Sequence, residues 1–431
     1  MIVILAHAHP SLSSGGAEIS AYTLYTGLRA LGAPCAFVAL CPESQLHRAS
    51  LATADEHLVA YTPEAYDEYF HIADPPAVDE LLALLERLGC TTAVFHHFMH
   101  FGINAIRQSA AVAGRRTLLV LHEFLAICHH HGQMVTRPAL RLCEASGPAA
   151  CARCFPELEL RQFEIRRERF LEAFERVARF VSPSRFLARR YAHWGLDESR
   201  IAVIENGVPR LPAPEVDGLA RAPGARVTIG FFGQINPFKG VELLLDAIDL
   251  LRRDGALAGA LRLRVHGPLV GVTPEFAARL EQEVARRDWL EYAGPYQNER
   301  VTDLMRDCDY VLMASTWWEN SPVVIQEAFA AGRPLIVPGI GGMAEKVLPD
   351  HTGLHFRPGD AADLVRALGV ACAPGTFARL RANLPPVADA VGMAGAYLDL
   401  LRDLDAPTAR SGPASSVIRL HARKTSRIEP S

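Results

Sequence analysis

Residues 310–332 read YVLMASTWWENSPVVIQEAFAAG, and their reading decides the fold. YVLMAS has the short unbroken apolar character of a strand buried on both faces. A polar loop follows, and then an apolar helix that opens at Ser321-Pro322. Serine is a good N-cap and proline fits the first helical position, so Ser321 is expected to cap this helix. The first amides, at Val323 and Val324, then point into the loop with the positive end of the helix dipole, which makes an anion site. Glu319 lies ahead of the cap and Glu327 about one and a half turns inside it. Two carboxylates placed in this way can line one pocket, above and beside a bound phosphate. A carboxylate accepts paired sugar hydroxyls well.

The same strand–loop–helix unit recurs on both sides. Towards the N-terminus, strands are expected at 226–233, 261–267, 291–294 and, in an earlier set, at 1–8, 33–41, 91–98, 115–124, 178–184 and 200–208. Towards the C-terminus, RPLIVPG (333–339) is another. Alternating strands and helices specify a doubly wound α/β fold. Residues 209–225 interrupt the rhythm with four prolines and two glycines, and read as a connection between two such halves. Two Rossmann-like domains are therefore expected, at 1–208 and 226–405, facing each other across a cleft. Residues 406–431, rich in arginine and serine, read as a disordered tail. The helix expected at 157–180 carries six acidic and six basic residues, the pattern of a solvated helix with one apolar face.

Composition narrows the class. The net charge of −4 and the lack of a basic aromatic stripe argue against nucleic acid as a partner. The opening MIVILAHAHPS has no basic leader and too short an apolar run for a signal peptide, and no stretch is long enough to span a membrane. A cytoplasmic protein is expected, with contact at the inner face of a membrane left open.

Two further segments carry chemistry. IGFFGQINPFKGVELLLDAI (229–248) ends a strand at Gly233 and opens a helix at Lys239-Gly240, where a lysine can pair with phosphate. HPSLSSGGAE (9–18) joins the first strand to the first helix, and Gly15-Gly16 allows close backbone approach at a helix start.

Taken together, these segments resemble the retaining glycosyltransferases of family 4 (glycosyl transferases group 1), which have the GT-B fold. ENSPVVIQE is similar to that family's E-x7-E motif, and FFGQINPFKG and SSGGAE to its lysine and glycine loops. VSPSRFLARRYAHWGLDESRIAVIENGV (181–208) resembles the stretch leading to its hinge, and DHTGLHFRPGDAADLVRALG (350–369) its late strand and helix. The resemblance implies transfer of a sugar from a UDP- or GDP-linked donor to a saccharide or lipid-linked acceptor, in cell-envelope or exopolysaccharide synthesis, without a catalytic cofactor. It implies that Glu327 holds the ribose, and that Glu319 with Asn320 and Ser321 holds the donor sugar. Lys239, Gly15 and Gly16 would face the diphosphate, and His122 would stand near the sugar's reacting end. Many members have an arginine after the glycine of the strand-end loop; here it is Gln234, a donor-site position with one positive charge fewer. Rival readings are a nucleotide-sugar epimerase on the same fold and, from the cysteine-rich segment, a zinc-dependent binding protein.

The zinc alternative comes from CHHHGQMVTRPALRLCEASGPAACARC (128–154). Cys128, Cys143, Cys151 and Cys154 could supply a tetrahedral thiolate site for a structural zinc or, less simply, an iron–sulfur cluster. Reduced buried thiols or a disulfide are the other readings. HHFMHFG (96–102) puts three histidines at a strand end without an assigned role, and DCD (307–309), ahead of a buried strand, reads as structural.

Overall fold

The computed structural model describes residues 1–13, 15–208 and 224–405. Most of the expected connection (209–225) and the whole expected tail (406–431) lie outside the described residues. The first sheet holds β1 (Ile2–Ala6), β2 (Cys35–Pro42), β3 (Glu56–Tyr61), β4 (Thr92–Phe95), β5 (Arg116–Val120), β6 (Arg179–Ser182) and β7 (Ile201–Val203), in the order β3-β2-β1-β4-β5-β6-β7. The second holds β8 (Val227–Phe232), β9 (Leu261–His266), β10 (Leu290–Gly294), β11 (Tyr310–Leu312), β12 (Leu335–Pro338) and β13 (Gly353–Phe356), in the order β10-β9-β8-β11-β12-β13. Every pairing in both sheets is parallel. β3 is the strand that sequence reading passed over. EHLVAY is half-buried at a sheet edge, so it lacks the unbroken apolar run of its neighbours.

Burial follows the period of two. Val3 and Leu5 enter one core, while Ile4 and Ala6 enter the core on the opposite face. The second sheet is covered in the same way by two further cores. The strand order reverses beside β1 in one sheet and beside β8 in the other. Those are the switch points at which ligands bind, beyond the carboxyl ends of the strands.

The structure corrects the domain boundary at 405. The last described helix, Ala390–Asp405, returns to the first domain, where Met393, Ala394, Tyr397, Leu400 and Leu401 share a core with Ile4, Leu24 and Phe37. It lies so close to the helix Gly16–Ala30 that a Cβ on Gly27 would stand 2.0 Å from the Ala390 carbonyl. Sequence order put this helix with the second domain, but its apolar face is matched by the first. Among the described residues no helix is long and apolar enough to cross a membrane.

Candidate functional site

The loop after β11 runs from Met313 to Pro322, and the helix Val323–Ala330 follows. The cap differs from the expected one by one residue. Pro322 occupies the N-cap, with no side-chain cap, and its carbonyl accepts from the Ile325 amide at 3.0 Å. Ser321 Oγ is buried without a partner among the described residues. The expectation for Val323 and Val324 stands, because the helix now begins at Val323 and its first amides have no carbonyl one turn back. Gly16, first residue of the helix Gly16–Ala30, faces this end so closely that a Cβ there would lie 4.0 Å from Val323 Cγ2. Two helix N-termini thus meet across the cleft, and their dipoles add for an anion between them.

Lys239 enters from the loop after β8. Asn236 caps the short turn Pro237–Lys239 by accepting the Lys239 amide at 3.0 Å. Gly240 then turns at φ 75°, with a Cβ position 1.8 Å from the Ala314 carbonyl, so only glycine lets this loop close against the end of β11. Lys239 Nζ reaches Glu319 Oε1 at 2.5 Å, and the same oxygen accepts from Ser315 Oγ at 2.8 Å and Trp317 Nε1 at 2.9 Å. Glu319 is 11% exposed. Burial alone would raise its pKa, but Lys239 and these hydrogen bonds outweigh burial and hold it below the ordinary value. Glu327 contrasts with it: desolvation of its half-buried carboxyl, with no offsetting cation among the described residues, pushes its pKa up to about 7.

From the first domain come His122, Glu123 and Phe124, just beyond β5, together with His131 and Gly132. With Gly16, Gly233, Lys239, Trp317, Trp318, Glu319, Asn320 and Ser321 they line a cleft of about 400 Å³. Asn320 Nδ2 donates to the His122 carbonyl at 2.9 Å, and Trp318 Nε1 to the Cys143 carbonyl at 3.2 Å. The two domains therefore touch at the site itself. Glu345 adds a second clasp by accepting the Arg185 and Phe186 amides, at 2.8 and 2.5 Å, at the start of the helix Arg185–Trp194.

Of the expected residues, Gly16, His122, Lys239, Glu319, Asn320 and Ser321 come together on this cleft. Gly15 and Glu327 stand just outside its lining, Gly15 as the N-cap of its helix and Glu327 deeper along the other. Gln234 is a correction. It is exposed, does not line the cleft and contacts Asn236 at 3.5 Å, while Gly233 takes the wall position. The family resemblance suggested a donor-site position, but in this structure the residue is exposed to solvent.

The cysteine cluster lies beside the cleft. Cys128, Cys143 and Cys151 have pKa values raised by burial first and by neighbouring cysteines after it, so the thiols share one neighbourhood. Yet among the described residues no three ligand-type side chains are arranged to hold a metal ion. Cys154 Sγ instead accepts the Arg137 amide at 3.0 Å, and Cys151 and Cys154 lie on the short helix Pro148–Cys154. What the segment does in this structure is dock: it presents Cys143 to Trp318 and His131 to the cleft.

Sequence reading missed several contributors. Glu123 follows His122 directly, its carboxylate held by His97 Nε2 at 3.2 Å and by the Leu125 amide. Arg166 is the larger surprise. It lies on the helix Leu160–Phe174, read as solvated, but is 3% exposed and donates to the carbonyls of Tyr69, Leu125 and Ala126 at 2.9, 2.7 and 2.7 Å. Leu125 and Ala126 continue the segment that carries His122, so Arg166 pins the wall of the cleft.

Comparison with known proteins agrees with this geometry. The model of Glycosyltransferase Family 4 matches residues 14–210, and that of Glycosyl transferases group 1 matches residues 226–372. Relatives include a D-inositol 3-phosphate glycosyltransferase of Nocardia farcinica, 32% identical over 237 residues, 52% of this chain and 51% of that one. Another, from Streptomyces coelicolor, is 29% identical over 202 residues, 41% of this chain and 43% of that one. The chain thus spans about half the length of the curated relatives it matches. Among solved structures, HepE of Anabaena in complex with UDP and glucose is 16% identical with a TM-score of 0.63, covering 93% of this chain and 99% of that one. A sucrose-phosphate synthase of Thermosynechococcus elongatus is 18% identical with a TM-score of 0.69, covering 94% and 99%. At these identities the structural likeness speaks for the fold, two Rossmann-like domains about one cleft. With a family model on each domain and that fold beneath both, the chain belongs to the family 4, group 1 glycosyltransferases of GT-B fold.

Proposed function

We propose that this chain is a retaining glycosyltransferase that moves a sugar from a UDP-linked donor to a saccharide or lipid-linked acceptor of the cell envelope. One observation carries the reading: two helix N-termini and Lys239 line one cleft, with Glu319 in its wall and Glu327 just outside it on the helix that follows. That is a site for a diphosphate flanked by hydroxyl-bearing groups. Breaking the bond from the anomeric carbon to the diphosphate builds negative charge on the leaving group. Fixed amides and one ammonium group aimed at that charge stabilise it most where it is greatest, in the transition state. Glu319, kept ionised by Lys239, accepts sugar hydroxyls. Glu327 accepts the ribose diol. The preference for UDP is supported by a structural neighbour solved with UDP and glucose.

The test is a panel of nucleotide sugars, scored for release of nucleoside diphosphate with and without saccharide acceptors. UDP-linked donors should be consumed, and Glu327→Ala should suppress the release. Equal turnover by this variant and the wild type would remove Glu327 from the site.

Glu327 also sets a pH dependence. Its folded pKa, about 7, lies above the ordinary 4.5, so the folded protein holds the proton longer than the unfolded chain. The sign follows from linkage: this group's contribution to stability falls as pH rises from 4.5 towards 7. Nucleotide binding has the opposite dependence, because the ionised carboxylate is the better acceptor for two hydroxyls. UDP affinity should therefore rise with pH up to about 7 and weaken below it by at most about tenfold per pH unit. Calorimetry on the wild type and Glu327→Gln isolates the effect, since titration of the ligand's own phosphate appears in both. Parallel profiles for the two proteins would contradict the assignment.

A further inference from the structure

His96 opens HHFMHFG, the motif to which sequence reading gave no role. It follows β4, and its amide extends the ladder by donating to the Leu5 carbonyl at 2.8 Å. His122 follows β5, the neighbouring strand, in a register that pairs Phe95 with Leu119. The two imidazoles consequently stand side by side, with ring centroids 5.2 Å apart and His96 Nδ1 3.1 Å from His122 Nε2. His96 is 0% exposed and stacks on Tyr397 of the returned helix Ala390–Asp405, at 6.5 Å and 17°. Burial lowers the pKa of both histidines, that of His96 to about 3, so both rings are neutral at physiological pH and the bond between them carries one proton.

Which ring donates is decided on the far side of His96. Its Nε2 is buried and has no partner among the described residues. If His122 donated from Nε2, the neutral His96 ring would have to carry its own proton on Nε2, as a buried N–H with no acceptor. If His96 donates from Nδ1, only a lone pair is left unmatched at Nε2. Buried orphan N–H groups are the rarer and costlier defect. The second arrangement puts the proton of His122 on Nδ1, the nitrogen that His96 leaves for a ligand in the cleft.

We propose that His96 is a positioning residue: its Nδ1–H, donated to His122 Nε2, fixes His122 as the Nδ1–H tautomer, so that His122 meets the bound sugar as a hydrogen-bond donor and not as a base. The proposal rests on the glycosyl-transfer reading for the identity of the ligand, but not for the tautomer itself. It has a mechanistic consequence. A nitrogen that already carries its proton cannot take the proton of the acceptor hydroxyl, so His122 Nδ1 is not the base of this reaction.

The experiment uses the full chain labelled with ¹⁵N-histidine. Long-range ¹H–¹⁵N correlation spectra report which ring nitrogen is protonated, and the His122 signals are assigned by their loss in His122→Asn. The expected result is a proton on Nδ1 with and without UDP; a proton on Nε2 overturns the proposal. His96→Leu should release the tautomer and lower kcat about tenfold or more, with UDP affinity unchanged. His96→Asn, whose amide can place an N–H where the imidazole Nδ1–H stood, should recover most of that loss. Loss of kcat in both variants, with the His122 tautomer unaltered, would leave His96 a packing residue and overturn the proposal. Absence of wild-type turnover with every nucleotide sugar would instead contradict the transferase reading, and the spectra would still decide the tautomer.

Discussion

Lys239→Ala should lower kcat for donor consumption by about 10²–10³-fold, the effect of removing one preorganised donor from a developing anion. The effect is expected in kcat more than in KM, because the charge that Lys239 meets is greater in the transition state than in the bound donor. Two further consequences separate this from a loss of folding. Lys239 is the first of the groups that counter burial at Glu319, ahead of Trp317 and Ser315. Without it the Glu319 pKa should rise, and the activity that remains should fall off on the acid side at a higher pH than in the wild type. Lys239→Arg should recover part of the rate, limited by the different shape of a guanidinium beside Trp317. Steady-state kinetics of the three proteins across about pH 5–9, between the ordinary carboxylate and lysine pKa values, provide the check, and an unaltered kcat in Lys239→Ala would place the diphosphate elsewhere.

Arg166→Ala should be the most destabilising substitution considered. It removes a buried cation that satisfies three carbonyls and packs over the ring of Phe170, with the guanidinium carbon 4.7 Å from the ring centroid. Leaving buried carbonyls without a partner costs about 1–3 kcal/mol each, and for three of them, after local relaxation, about 3–5 kcal/mol is expected. In a domain of this size that is a fall in Tm of roughly 6–20 °C. Because Leu125 and Ala126 continue the chain from His122 and Glu123, turnover at a temperature where the variant is folded should also drop. UDP binding, for which the proposed site draws mainly on Lys239, Glu319 and Glu327 of the second domain, should persist. Thermal melts and UDP calorimetry test the two halves of this expectation. A melting temperature within a degree or two of the wild type (about the effect of an ordinary surface substitution) would refute the pinning role.

What was legible in advance and what was not divide along a physical line. YVLMAS, IGFF and MIVILA could be read as strands because burial on both faces demands unbroken apolar runs, and that demand is local. Glu319, Lys239 and Gly16 could be placed on one cleft because each sits a fixed number of residues from a strand end or helix start. Strand ends in such sheets share one rim. The cap slipped by one residue, from Ser321 to Pro322, and this too is a local matter of where the first turn closes.

The sequence by itself determined the repeating strand–loop–helix order, the division into two sheets and the identity of most of the groups that share the cleft. Only the tertiary structure decided that Ala390–Asp405 covers the first domain, that Gln234 faces solvent, that Arg166 is buried and that His96 lies against His122. Each of these depends on what a side chain meets across tens or hundreds of residues. Arg166 has the neighbours of a solvated helix in sequence, and the carbonyls that hold it come from a different stretch of chain. His96 and His122 are 26 residues apart and become partners only because β4 and β5 pair in one register. Periodicity records which face of an element is apolar; which surface that face finds is fixed by packing, where the whole chain takes part.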